Sequence, residues 1–176
     1  MKLLKSFLLI IILVSFSACS SDDDGGGSNS VELTIENLVG TYEVTFLRGS
    51  SETSVTATDG STVVTETEER EGDTFTNAIF VFNANGTYTT SGNFRETSTV
   101  TITGQSPETE SEIVSIDDSG TYSVNTESRT IIFDSDEIND VTRFNGTELR
   151  IVENYIDSFE SFNEVGIVEI RMTKLQ

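Results

Sequence analysis

Apolar and polar residues alternate in short runs from Gly40 to the end of the chain, and this period of two constrains the fold more than any other feature. In the first run Tyr42, Val44 and Phe46 alternate with threonine and glutamate residues. Val, Ile, Thr, Phe and Tyr fill the runs, whereas Leu and Ala are sparse. Because alternate side chains of a strand point to opposite faces, the pattern predicts strands throughout this part of the chain.

Further runs of the same composition indicate a total of about eight to ten strands. Thr34 is placed to cap one short helical turn over residues 34–39. Residues 155–163 fit either a strand or a loop with aromatic anchors. The further strand-like runs lie around 61–70, 74–83, 86–91, 97–103, 111–117, 120–125, 129–134, 140–145, 147–153 and 164–174.

Tight turns separate several of these runs and predict antiparallel neighbours. Asn85-Gly86, Ser119-Gly120 and Asn145-Gly146 each stand between strand-like runs, and Asn-Gly suits a turn with positive φ at both central residues. Closing such a meander into a barrel removes the exposed edges of its strands. Residues 31–176 are therefore predicted to form one all-β domain, an antiparallel up-and-down β-barrel. A two-sheet β-sandwich is the alternative.

The start of the chain has the parts of a secretory signal peptide. Lys2 and Lys5 precede an apolar run from Phe7 to Val14, and small residues follow it. The run is too short for a membrane span, so residues 1–18 are predicted to be a signal peptide. Ser17-Ala18-Cys19 resembles the lipobox of bacterial lipoproteins, which implies that the Cys19 thiol is acylated and that the mature protein begins there. A buried core cysteine is the alternative.

Residues 19–30 are rich in acids, glycine and serine, which bury no apolar surface, so they are predicted to form a flexible tether. Within it Ser21, Asp22, Asp23 and Asp24 resemble the export signal of Bacteroidetes lipoproteins. That resemblance implies a lipid-anchored protein of the outer membrane, carried to the cell surface. A solvated linker without an export role is the alternative.

The charge of the chain limits its partners. Ten basic and 30 acidic residues give a formal net charge of −20. Such a surface repels phosphate backbones and anionic headgroups, so nucleic acid is not expected as a partner. Contact with the membrane is expected only through acyl chains on Cys19, which is the single cysteine of the chain.

The residue types needed for common catalysis are missing. The chain has no histidine, which excludes Ser-His-Asp and Cys-His catalysis and zinc sites built from His or thiolate. Acidic pairs such as Asp117-Asp118 and Glu68-Glu69 face opposite sides of a strand and are predicted to be solvated. Residues 134–140 place oxygen ligands at alternate positions but lack the glycine of a calcium loop, so an acidic hairpin loop is predicted. No catalytic residue, metal site or cofactor is predicted.

Three segments resemble the lipocalin-like lipoproteins of Bacteroidetes: Leu38–Val44 matches the opening strand, residues 80–88 a recurrent hairpin, and residues 168–175 the last strand. Tyr42 stands where that family usually has tryptophan. The resemblance implies a barrel that holds a small apolar ligand, although side chains filling a plain core are the alternative. The residues expected to face the ligand are Tyr42, Val44, Phe46, Phe80, Phe82, Tyr88, Tyr122 and Phe133.

The function expected from these observations is ligand binding without catalysis. The protein is expected to be a lipid-anchored outer-membrane lipoprotein whose barrel binds a small apolar molecule. The alternative is a non-catalytic accessory or scaffold subunit of a cell-surface complex, with other proteins as its partners.

Overall fold

The computed structural model describes residues 31–159 and 162–176. The predicted signal peptide (residues 1–18), the predicted lipidation site Cys19 and the predicted tether with its export signal lie outside the described residues. The described part contains one short helix followed by strands that form a 9-stranded sheet. The elements are α1 (Ile35–Leu38), β1 (Gly40–Thr56), β2 (Thr62–Phe82), β3 (Thr87–Ile102), β4 (Glu108–Ser115), β5 (Asp118–Asn125), β6 (Thr130–Phe133), β7 (Glu137–Phe144), β8 (Glu148–Phe159) and β9 (Phe162–Lys174).

The sheet closes into a barrel-like ring. Every paired strand is antiparallel to its partner, and the pairing follows chain order until β9 returns to β1. β4 and β5 both pair with β3, at Asn93–Val100 and Thr87–Thr90 respectively, so they act as one bent strand of the ring. The ring confirms the prediction of an all-β, antiparallel up-and-down fold. The strands form one sheet, so the alternative of a two-sheet β-sandwich is wrong.

The two ends of the ring differ. The lower end holds α1 and the hairpin turns at Asn85-Gly86 and Asn145-Gly146. At the upper end β6 and β7 stop at a short hairpin, while β8 continues beyond Glu153 paired only with β9. The upper parts of β4, β3, β2, β1, β9 and β8 thus form an open, curved extension, called the upper wall below.

The segment before β1 closes the lower end. Thr34 caps α1, because its Oγ1 accepts a hydrogen bond from the Asn37 backbone N–H at 3.3 Å, which confirms the predicted helical turn. Leu33 and Leu38 are fully buried beneath the ring. The Tyr42 hydroxyl donates to the Leu38 carbonyl at 2.9 Å and joins this segment to the first strand.

Two of the three predicted turns are confirmed. Gly86 and Gly146 have φ of 78° and 85° and end tight hairpins, but the asparagine before each keeps a negative φ, so the turn type differs from the prediction. The prediction for Ser119-Gly120 is wrong, because Gly120 lies within β5 and pairs with Tyr88. A Cβ at Gly120 would collide with the Asp134 carboxylate, which explains a glycine inside a strand.

The long strands join runs that the sequence pattern separates. Residues 61–70 and 74–83 belong to one strand, β2, which is irregular where Thr74 and Asn77 take positive φ of 51° and 49°. Residues 155–159 continue β8 and residues 162–163 begin β9, so the described part of the ambiguous segment is strand. The sheet of the described residues therefore has nine strands, which confirms the predicted eight to ten, although β2 is longer than either run that it joins.

Candidate functional site

The inner face of the sheet has a cavity within the ring and a groove along the upper wall. The first, called the ring cavity, has a volume of about 280 Å³ and lies between Phe80, Tyr88 and Phe133 below and Glu137 and Glu153 above. The second, called the wall groove, has a volume of about 560 Å³ and follows the upper wall. Glutamates dominate the groove, whereas aromatic and aliphatic side chains dominate the ring cavity. The ring cavity is therefore the candidate site for an apolar ligand.

Packed aromatic rings form the floor of the ring cavity. The rings of Phe80 and Tyr88 stack with centroids 5.3 Å apart, and Phe133 meets Tyr88 edge-on at 5.1 Å. Alternation places these side chains inside, because each lies on a strand whose neighbouring positions face out. The apolar sides of the cavity come from Ile116, Ile151, Val168 and Ile170.

The structure divides the predicted ligand-facing residues into separate groups. Phe80, Tyr88 and Phe133 line the ring cavity. Tyr42, Val44, Phe82 and Tyr122 are buried in the core below the floor, where Phe82 packs edge-on against both Tyr42 and Tyr122. These core residues support the floor and do not line the cavity.

The prediction that Phe46 faces the interior is wrong. A bulge between Val44 and Phe46 shifts the alternation of β1 relative to β9, so that Phe46 pairs with Arg171. Arg171 lies between Ile170 and Met172, which face inward, and its guanidinium sits 4.1 Å from the Phe46 ring centroid. Phe46 therefore packs on the outer surface under an arginine.

Polar side chains that sequence reasoning did not select line the mouth of the cavity: Thr90, Asp118, Glu137, Asn139 and Glu153. Asn139 and Glu153 are paired across β7 and β8. Each is two residues from an inward apolar side chain, Val141 or Ile151, so period two itself places them inside. The sequence pattern does not mark them as site residues, because polar side chains are expected to face solvent.

Tyr88 links the floor to two carboxylates. Its hydroxyl lies 2.9 Å from Asp134 Oδ2 and 3.3 Å from Asp118 Oδ2. Burial, followed by the hydrogen bond to Asp134, raises the pKa of Tyr88 well above its usual range, so the phenol stays protonated. Hydrogen bonds lower the pKa of Asp134, and the bond from the Thr121 backbone N–H contributes more than the bond from the Tyr88 hydroxyl. Tyr88 therefore acts as a fixed hydrogen-bond donor to Asp134.

Glu153 is a half-buried acid at the mouth, and its titration can be tested. Burial, and then the charge of Glu137, raise the pKa of its carboxyl above the ordinary 4.5. A raised pKa means that the folded chain binds this proton more tightly than the unfolded chain. Stability from this group is complete below pH 4.5 and is lost as the pH rises through the raised value.

We expect Glu153→Gln to remove this loss. The urea midpoint of the variant should exceed that of the wild type at neutral pH, and the two should converge under acid conditions. Glu43→Gln, which removes an exposed carboxylate from β1, is the matched control. Its urea midpoint should follow that of the wild type at both pH values. Parallel pH curves for the wild type and Glu153→Gln would contradict the assignment.

The other predicted acidic features resolve into turns and strands. Asp117 accepts from Ser115 Oγ at 2.9 Å, while Asp118 accepts from the Ser119 backbone N–H at 2.7 Å, and both side chains are exposed. Residues 134–136 form the β6–β7 turn, and β7 begins at Glu137. In the described part of the chain, no group of three or more His, Cys, Asp or Glu side chains is placed to hold a metal ion.

Comparison with known proteins adds no relative. No family model, curated protein or solved structure matches the chain. Within residues 31–159 and 162–176, no helix has the length and apolar character needed to cross a membrane. The lipocalin-like resemblance therefore rests on the quoted motifs.

Proposed function

We propose that this chain is a lipid-anchored outer-membrane lipoprotein whose lipocalin-like domain binds one small apolar ligand at the cell surface, without catalysis. The single observation that carries the binding function is the ring cavity, a largely apolar space of about 280 Å³ with an aromatic floor inside a closed ring of strands. The signal-peptide pattern and the lipobox carry the anchoring. The absence of histidine from the chain supports a binding role.

The size and chemistry of the cavity indicate the ligand. Its volume is near the lower end of the roughly 300–1,000 Å³ of small-molecule sites, so it suits one small molecule and not a long lipid. Burial of apolar ligand surface is favourable by about 25 cal/mol per Å². The floor is held by ring–ring packing and by the Tyr88 hydrogen bond to Asp134, so it is formed before the ligand arrives.

Filling the cavity tests the binding function. Native mass spectrometry of the protein purified from its own cells is expected to show an added small-molecule mass. Ile170→Trp places a large side chain in the cavity and is expected to remove that mass. Ile167→Trp makes the same change on the same strand at an outward side chain that is 43% exposed, and it should retain the mass.

The two variants distinguish the cavity from other binding positions. Retention of the mass in Ile170→Trp would place the ligand elsewhere, and a wild-type protein without any added mass would contradict ligand binding. Circular dichroism of both variants checks that each retains the strand content of the wild type.

The accessory or scaffold function is the second candidate, and an exposed apolar surface favours it. Ile156 and Val165, at the β8 and β9 side of the upper wall, are 73% and 47% exposed. Ile156 and Val165 are paired across β8 and β9, and such side chains suit a protein partner. The same native spectra test this function: a second polypeptide that Ile156→Lys releases would support it, and a protein recovered without one would contradict it.

A further inference from the structure

The mouth of the ring cavity offers more hydrogen-bond acceptors than free donors. Each donor-bearing side chain that lines it already makes one hydrogen bond within the protein, and only the Asn139 amide has a second N–H left over. Tyr88 donates to Asp134, Thr90 donates to the Ile116 carbonyl, and the Asn139 amide nitrogen donates to Glu137 at 3.4 Å. The other polar side chains at the mouth are the carboxylates of Asp118, Glu137 and Glu153. An ionised carboxylate accepts hydrogen bonds and donates none. Acceptors therefore outnumber free donors at this mouth, and a ligand that brings donors matches it best.

The charge at the mouth has one sign. Asp118, Glu137 and Glu153 line the cavity, and no lysine or arginine does. In the described part of the chain, none of these carboxylates forms an ion pair, whereas the outward Glu169 is paired with both Arg150 and Arg171. The negative charge of the mouth is thus uncompensated by the protein side chains around it.

Asn139 gives an independent indication of a ligand. Its side chain lines the cavity and is only 3% exposed. Its amide oxygen accepts no hydrogen bond from the described residues, and no fully enclosed polar side-chain atom in this part of the chain lacks a partner. The oxygen therefore contacts the open space of the cavity, where a ligand donor would satisfy it.

The wall groove extends the same negative field above the mouth. It lies on the same inner face, since a Cβ at Gly49 would contact both Arg70 of the groove and Val168 of the ring cavity. Arg70 is the one basic residue that lines the groove, and it is paired with Glu68 at 2.6 Å. The remaining acids of the groove are Glu96, Glu108, Glu110 and Glu112. This field attracts cations toward the cavity and repels anions.

We propose that the ring cavity is selective for small cationic amphiphiles, with the apolar body on the aromatic floor and an ammonium group at Glu137, Glu153 and the Asn139 oxygen. The inference rests on the proposed ligand binding and specifies its chemistry. Fatty acids and other carboxylates are disfavoured, because three carboxylates line the mouth, no lysine or arginine does, and the second N–H of Asn139 is the one side-chain donor left to receive them. An ammonium group donates up to three hydrogen bonds and matches the available acceptors.

Three probes of equal chain length test the selectivity. Octylammonium, octanol and octanoate are titrated calorimetrically into the full chain carrying Cys19→Ala, which prevents acylation. Octylammonium is expected to bind at least about tenfold more tightly than octanol, because a charge-assisted hydrogen bond is worth more than 1.4 kcal/mol. Octanoate is expected to bind more weakly than octanol.

A paired variant locates the headgroup. Glu137→Gln combined with Glu153→Gln should reduce octylammonium affinity at least about tenfold and leave octanol affinity unchanged. Glu36→Gln combined with Glu127→Gln removes the same charge from exposed residues at the lower end and should change neither affinity.

Each outcome separates the two proposals. Equal binding of the three probes would overturn the headgroup inference and leave apolar binding intact. Octylammonium binding that survives both the mouth variant and Ile170→Trp would mark surface adsorption and overturn the inference. Failure of all three probes would contradict the proposed function itself.

Discussion

Replacing Tyr42 with alanine is expected to lower the free energy of unfolding by about 3–5 kcal/mol, a large part of the stability of an ordinary domain. Tyr42 is fully buried, its ring meets Phe82 edge-on at 5.7 Å, and its hydroxyl holds the Leu38 carbonyl. Burial and the neighbouring Tyr122 raise the pKa of Tyr42 to about 12, so its hydroxyl remains a donor at neutral pH. The substitution creates a cavity and leaves that carbonyl unsatisfied.

Urea unfolding measures the effect, and two variants separate its causes. Tyr42→Phe keeps the ring and is expected to lose about 1 kcal/mol through the orphaned Leu38 carbonyl. Phe46→Ala removes an aromatic ring from the same strand at its outer face and is expected to lose about 1 kcal/mol. A Phe46→Ala variant that is as unstable as Tyr42→Ala would contradict the outward position of Phe46.

Gly92→Ala is expected to destabilise the protein by roughly 2–5 kcal/mol. Gly92 has φ of 101°, which L-residues with a Cβ rarely adopt. An added Cβ would also collide with the backbone carbonyl of Asn77, and backbone cannot move aside as a side chain can. The Gly92 carbonyl also accepts from the Ile116 backbone N–H at 3.0 Å, near the join of β4 and β5.

Gly60→Ala is the matched control for this prediction. Gly60 also has a positive φ, of 83°, but a Cβ there would meet no atom within 4 Å. The same substitution therefore measures backbone strain alone, and it is expected to lose about 1–2 kcal/mol by urea unfolding. Equal losses at the two glycines would show that close strand approach at Gly92 contributes nothing.

The fold class was predictable from sequence because alternation is a local property. Residues such as Tyr42, Phe82 and Phe133 mark inward faces by their chemistry, and Gly86 and Gly146 mark turns by their position. The phase of a strand is not local in this way. The bulge that turns Phe46 outward depends on pairing with β9, which lies more than a hundred residues further along the chain.

The candidate site was predictable only in part, for a related reason. The aromatic floor at Phe80, Tyr88 and Phe133 follows from burial of large apolar side chains. Asn139 and Glu153 are also on inward positions of their strands, but local chemistry argues for solvent exposure of amides and acids. Their placement depends on the short β6–β7 hairpin, which ends below the upper wall. The pairing of distant strands in the ring sets this difference in height.

Leu33 and Leu38, which close the lower end of the ring, also make the two ends of the molecule different. Val31 lies beside the Gly146 turn at the lower end, so the polypeptide enters the domain at the pole opposite the mouth of the ring cavity. With the acyl chains of the proposed anchor on Cys19, the flexible tether would join the domain at its closed end, remote from the acidic mouth. Such an attachment keeps the mouth away from the tether, so that a ligand can exchange with the surrounding medium or with a neighbouring molecule.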